Sequence, residues 1–161
     1  MNSYPVKRDA FSLVEVTLAL GVAALSLLAI FALLPVGVKT NQIAIEQTAT
    51  TDLLSAVAAD LRATPATAPR GRATSSPRFA IDIPANPVGS STSTTLFFTP
   101  EGQFSNGVDR NSRYRVTITF LPNGAGVRAA TFVDLKATWP APAALAHAGG
   151  VAEMFLALDR N

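Results

Sequence analysis

The sequence predicts an α+β protein, with a long N-terminal α-helix packed on a C-terminal antiparallel β-sheet. Three observations predict it. Val16 to Leu34 is an uncharged run of 19 residues rich in Ala and Leu. The polar segment after it carries apolar residues at spacings near three and four. The last hundred or so residues hold short alternating segments separated by Pro-, Gly- and Ser-rich turns.

The apolar run suits a membrane-spanning helix, which needs about 20 apolar residues to cross roughly 30 Å of hydrocarbon. Ala and Leu favour helix, and few residues here are β-branched. Pro35 is expected to kink or end this first half, residues 11–35. Lys7 and Arg8 precede it, and positive residues tend to remain cytoplasmic. The C-terminal bulk then lies outside the inner membrane.

Residues 36–63 read as an amphipathic second half. Ile43, Thr50, Leu53, Leu54, Val57, Ala58 and Leu61 form its apolar stripe. Its polar face lacks the Lys/Arg enrichment of a membrane-surface helix, so packing on a globular head is the better reading. The helix should end near Ala63, because Thr64 precedes Pro65. Together the halves span on the order of 75–80 Å at 1.5 Å per residue.

Residues 64–161 form the head. "TPATAPRGRATSSPR" and "PANPVGSSTSTT" read as loops. "RFAIDI" and "TTLFFT" are strand candidates, the second followed by the turn "PEGQ" and by "FSNG". "SRYRVTITFLP" is the best strand in the chain. Tyr114, Val116, Ile118 and Phe120 point one way; Arg115, Thr117 and Thr119 point the other. "PNGAG" is a turn. "VRAATFVDLKATWP" alternates as well, with Thr131, Val133, Leu135, Ala137 and Trp139 on one face, and "AEMFLALDR" closes the chain. Successive strands joined by tight turns give an antiparallel sheet with one face on the helix.

Composition narrows the function. The 161 residues are 48% hydrophobic and 15% charged, with a net charge of +2. That charge is too small for a nucleic-acid surface, and the scattered arginines lack interleaved aromatics. There is no cysteine, so neither a disulfide nor a thiolate nucleophile exists. The head must rest on a small core or on partners.

Candidate chemistry is sparse. His147, the single histidine, lies in the loop-like "PAPAALAHAGG" with no acid, serine pairing or second histidine near it in sequence, which gives no basis for a triad or zinc site. Asp109, Asn111 and Ser112 cluster in "GVDRNSR", but the spacing, glycine and terminal glutamate of a calcium loop are missing, so a polar turn is favoured. Glu101 and Asp134 have no second carboxylate evident for acid–base work. Trp139 reads as core or as a partly exposed contact. The apolar run has no GxxxG and no phosphate-binding loop. No catalytic residue, metal or cofactor is expected.

Glu15 stands apart. An acid at the centre of a spanning segment costs about 2.5–3.5 kcal/mol; near its end the cost is lower, but the residue still asks for a partner. A cleavable secretory signal fits poorly, since the apolar run is too long and no small-residue cleavage site follows Leu34. A plain anchor leaves Glu15 unexplained.

The stretch "A10 | F11 S12 L13 V14 E15" resembles the processing site of type IV prepilins and pseudopilins. In that family a short basic leader ends in a small residue, usually Gly. Prepilin peptidase cuts after it, the new N-terminal Phe is methylated, and a Glu stands at the fifth mature position before an apolar helix. Here Lys7 and Arg8 match the leader (residues 1–10), Phe11 the new N-terminus and Glu15 the acid; Ala10 stands where Gly is usual. "FFTPEGQ" and the "ATWP" strand ending are weaker likenesses to pseudopilin heads. The resemblance implies a pilin-like fold and a subunit, not an enzyme. It implies cleavage between Ala10 and Phe11, N-methylation of Phe11, and pairing of Glu15 with a neighbouring subunit's terminal amine. Prepilin peptidase, other pilin or pseudopilin subunits and an inner-membrane assembly platform are the implied partners. The implied setting is single-pass in a bacterial inner membrane, leader cytoplasmic and head periplasmic, and then a filament of a type II secretion system or a type IV pilus. A minor subunit fits the long Ser/Thr/Pro loops. The alternative is an anchored binding protein that never polymerises, in which Glu15 would be dispensable.

Overall fold

The computed structural model describes residues 12–64, 74–84, 90–122 and 130–158. One helix, α1 (Leu13–Ala63), precedes seven strands: β1 (Thr74–Ser75), β2 (Asp82–Ile83), β3 (Thr92–Phe98), β4 (Phe104–Ser105), β5 (Tyr114–Phe120), β6 (Thr131–Trp139) and β7 (Gly150–Leu158). A short 3-10 turn, Leu145–His147, lies between β6 and β7. The chain divides into two compact units, Met1–Ala44 and Ile45–Asn161.

In the second unit the end of α1 packs on a five-stranded antiparallel sheet of order β4-β3-β5-β6-β7. Leu54, Val57, Ala58 and Leu61, spaced three and four apart, are buried along one stripe of the helix. They meet the inner row of the sheet. Val116, Ile118 and Phe120 of β5, with Val133, Leu135 and Ala137 of β6, are wholly buried. The expected alternation of both strands is therefore observed. Burying each such large side chain contributes about 1.5–3 kcal/mol. Ile43, expected on the stripe, is instead 49% exposed, because burial on the helix begins only at Thr50.

Pro35 does not end the helix, which continues through it to Ala63. The ring removes one donor, to the carbonyl of Phe31, but the turns on either side keep theirs. The helix does end at Ala63.

"RFAIDI" is not a continuous strand. Only Asp82 and Ile83 pair, with Ser75 and Thr74. The cause is Asp60, buried in the last turns of α1. Its Oδ2 accepts from the Ser76 hydroxyl at 2.5 Å and from the Phe79 N–H at 3.0 Å, and its Oδ1 accepts from the Arg78 N–H at 2.9 Å. Backbone donors spent on a carboxylate cannot serve a ladder, so the chain turns here, with Ala80 at φ 51°. β3 starts earlier than "TTLFFT", because Thr92 to Thr95 pair with Phe120 to Thr117 of β5. β-Branched residues suit that pleat. β7 likewise begins at Gly150, opposite Trp139. A Cβ on Gly150 would lie 1.9 Å from the indole, so only glycine leaves room for it. Trp139 is core, 5% exposed.

The "PEGQ" turn closes through the Thr99 N–H to the Gln103 carbonyl, with Gly102 at φ 80°. The "PNGAG" turn, apart from Pro122, and most of the two Pro- and Ser-rich loops lie outside the described residues.

Candidate functional site

Ala and Leu supply 14 of the 32 residues of the helix from Leu13 to Ala44, and none of the 32 is buried. Leu13, Leu18, Leu25, Leu28, Phe31 and Leu33 are all at least 64% exposed. Each large apolar side chain left in water forgoes about 1.5–3 kcal/mol. A continuous exposed apolar surface of this extent is unusual for a solvated helix. The helix is long and apolar enough to cross a membrane.

Its hydroxyls make no demand on a partner. Thr17 Oγ1 donates to the Val14 carbonyl, Ser26 Oγ to Val22 and Thr40 Oγ1 to Val36, at 2.8–2.9 Å. Bonded back to their own helix, they can enter an apolar phase at little cost. Glu15 and Lys39 are the only ionisable residues between Leu13 and Ala44. Glu15 stands exposed in the first turn, where the Glu15 and Val16 N–H groups both reach the Ser12 carbonyl. A carboxylate there complements the free donors of the helix start. It heads one exposed face of the helix, followed along it by Val16, Ala19, Leu20 and Ala23. Among the described residues no side chain pairs with it. Lys7, Arg8, Ala10 and Phe11 lie outside the described residues.

The other candidates resolve into local structure. Asp109 and Ser112 close a turn: the Asp109 N–H donates to Ser112 Oγ, the Ser112 N–H to the Asp109 carbonyl, and Asp109 Oδ1 accepts from the Arg110 N–H. His147 is exposed in the 3-10 turn. Glu101 is exposed in its turn, and its hydrogen bond with the Thr99 side chain holds its carboxyl below the usual range. Among the described residues, no three His, Cys, Asp or Glu side chains group to hold a metal ion.

Two features escaped the sequence reading. Arg113, just before β5, forms an ion pair with Glu46 of α1. Arg115 and Asp134 line one cleft on the outer side of the sheet, two cross-strand rows apart. Neither feature has a signal in linear spacing; strand register creates the second.

No family model matches this chain, and no curated protein or solved structure matches it either.

Proposed function

We propose that this chain is a structural subunit, a minor pseudopilin or minor pilin, of a type II secretion pseudopilus or a type IV pilus-like filament. One observation carries the reading. The helix from Leu13 to Ala44 is apolar and unburied, and its one carboxylate stands at the head, four residues after Phe11. The resemblance of "AFSLVE" and its basic leader to prepilin processing sites points the same way.

The physical account is as follows. Prepilin peptidase cuts after Ala10 and frees the amine of Phe11, which is methylated. The helix leaves the bilayer for a bundle of like helices, exchanging one apolar environment for another at small net cost. Its self-bonded hydroxyls do not oppose the transfer. Glu15 does discriminate between positions: unpaired in a medium of low dielectric it is penalised heavily, and opposite a neighbour's terminal amine it is neutralised. The subunit therefore stops where acid meets amine.

Intact-mass analysis of protein from cells tests processing. The expected mature chain starts at N-methylated Phe11, and a chain that keeps Met1 or is cut beyond Leu34 contradicts the proposal. Glu15→Gln tests registry: leader removal stays normal while filament incorporation falls by more than about tenfold. Unchanged incorporation would favour the anchored binding protein that does not polymerise.

A further inference from the structure

The outer face of the head's sheet holds a second site. Register places three cross-strand rows there. Phe97, Arg115, Thr138 and Val151 form the first; Thr95, Thr117, Lys136 and Glu153 the second; Ser93, Thr119, Asp134 and Phe155 the third. A cleft of about 210 Å³ opens over the middle strands, lined by Arg115, Thr117, Thr119, Asp134, Lys136 and Thr138, with Leu145 at its margin.

Polar surfaces of sheets are ordinary, but this one is partly buried and leaves two of its polar atoms unsatisfied. Thr138 is 5% exposed. Arg115 Nε and Asp134 Oδ1 are sealed from solvent without a hydrogen-bond partner among the described residues. A buried donor or acceptor left unpaired is costly, and such a group calls for an explanation. Arg115 is steadied by its guanidinium lying 5.7 Å from the Phe97 ring centre. Lys136 is tied to Glu153 at 2.6 Å. The cleft thus has a guanidinium at one end, a carboxylate at the other and threonine hydroxyls along it.

Charge chooses the ligand class. Arg115 and Lys136 are balanced by Asp134 and Glu153, so the cleft and its rim attract neither an anion nor a cation. A neutral ligand that takes a hydrogen bond at one end and gives one at the other suits both ends, as hydroxyls at opposite ends of a pyranose do. Beside Asp134, Phe155 is 68% exposed, and its diagonal neighbour Phe132 is 53% exposed. The electron-rich face of such a ring attracts the polarised C–H groups of a pyranose.

We propose that this cleft binds a neutral sugar residue. Its hydroxyls bridge the Arg115 guanidinium and the Asp134 carboxylate, each turning outward slightly to meet them, and its apolar face rests on Phe155. The site is independent of the helix and of any role in a filament.

Saturation-transfer NMR on the full chain in lauryldimethylamine oxide micelles, which carry no sugar, tests this. Maltotriose, cellotriose and chitotriose are the probes, and inorganic phosphate is the anionic comparison. At least one trisaccharide is expected to receive saturation. Asp134→Ala and Phe155→Ala should each weaken it by about tenfold, roughly one lost contact. Phe155 is exposed, so its replacement keeps the fold, and unchanged Trp139 emission verifies this for both variants. The proposal fails if no trisaccharide binds, if both variants bind as the parent does, or if phosphate displaces the sugar.

Discussion

The two parts of α1 belong to one unbroken helix and meet opposite fates. From Leu13 to Ala44 the helix is the more apolar part, yet nothing in it is buried. From Ile45 to Ala63 it is more polar, yet Thr50, Leu54, Val57, Ala58, Asp60 and Leu61 are buried. Hydrophobicity thus fails to say where this chain folds on itself. Periodicity does: a stripe can be covered by a sheet, while a helix apolar all round needs lipid or several neighbours. The first part is shaped for an environment the chain does not supply.

Four measurements can break or sharpen that contrast, each by denaturant unfolding of the full chain in detergent. The only tryptophan, buried Trp139, reports on the head. The largest effect should come from Phe98→Ala, which removes a wholly buried ring and should cost about 3–5 kcal/mol. Leu25→Ala should leave the same transition in place, and a matching loss there would show that the contrast is false. Next, Asp60→Ala should cost about 3 kcal/mol, because three donors lose their acceptor together. Asp52→Ala, on the exposed side of the helix, serves as its control. Ala80→Gly should instead stabilise the head by about 0.5–1 kcal/mol, since the left-handed backbone at φ 51° suits glycine. No gain would mean that the turn carries no strain.

The smallest effect is a pH dependence. The hydrogen bond and charge of Glu153 raise the pKa of Lys136 above its ordinary value of 10.5. A raised pKa in the folded state means that the folded protein holds this proton more tightly. The contribution is complete below the unfolded value and disappears as pH climbs through the folded one. Stability should therefore decline slightly more steeply above pH 10.5 in the parent than in Glu153→Gln. Parallel profiles would show the pair to be fully screened.

What could be read beforehand follows the range of the interaction. The alternation of "YRVTITF" and the stop at Thr64–Pro65 are local, and both were legible. The fate of "RFAIDI" was not, because it depends on Asp60, 18 residues back from Arg78. In the string "AADLRA" that aspartate looks like one more polar residue on a helix. Pro35 misled for a related reason: one missing donor is a local cost, and the neighbouring turns outvote it. Glu15 was legible as an anomaly because the segment around it is so uniform. The sheet cleft was invisible, since Arg115 and Asp134 come to line one cleft only once β5 and β6 are aligned.

The glycine opposite Trp139 has a consequence for assembly of the sheet's outermost ribbon. Slide β7 by two residues and a side chain bulkier than hydrogen must occupy the space the indole already fills. The bicyclic ring thus behaves as a key cut for one notch, and a ribbon misaligned by two residues is rejected by bulk.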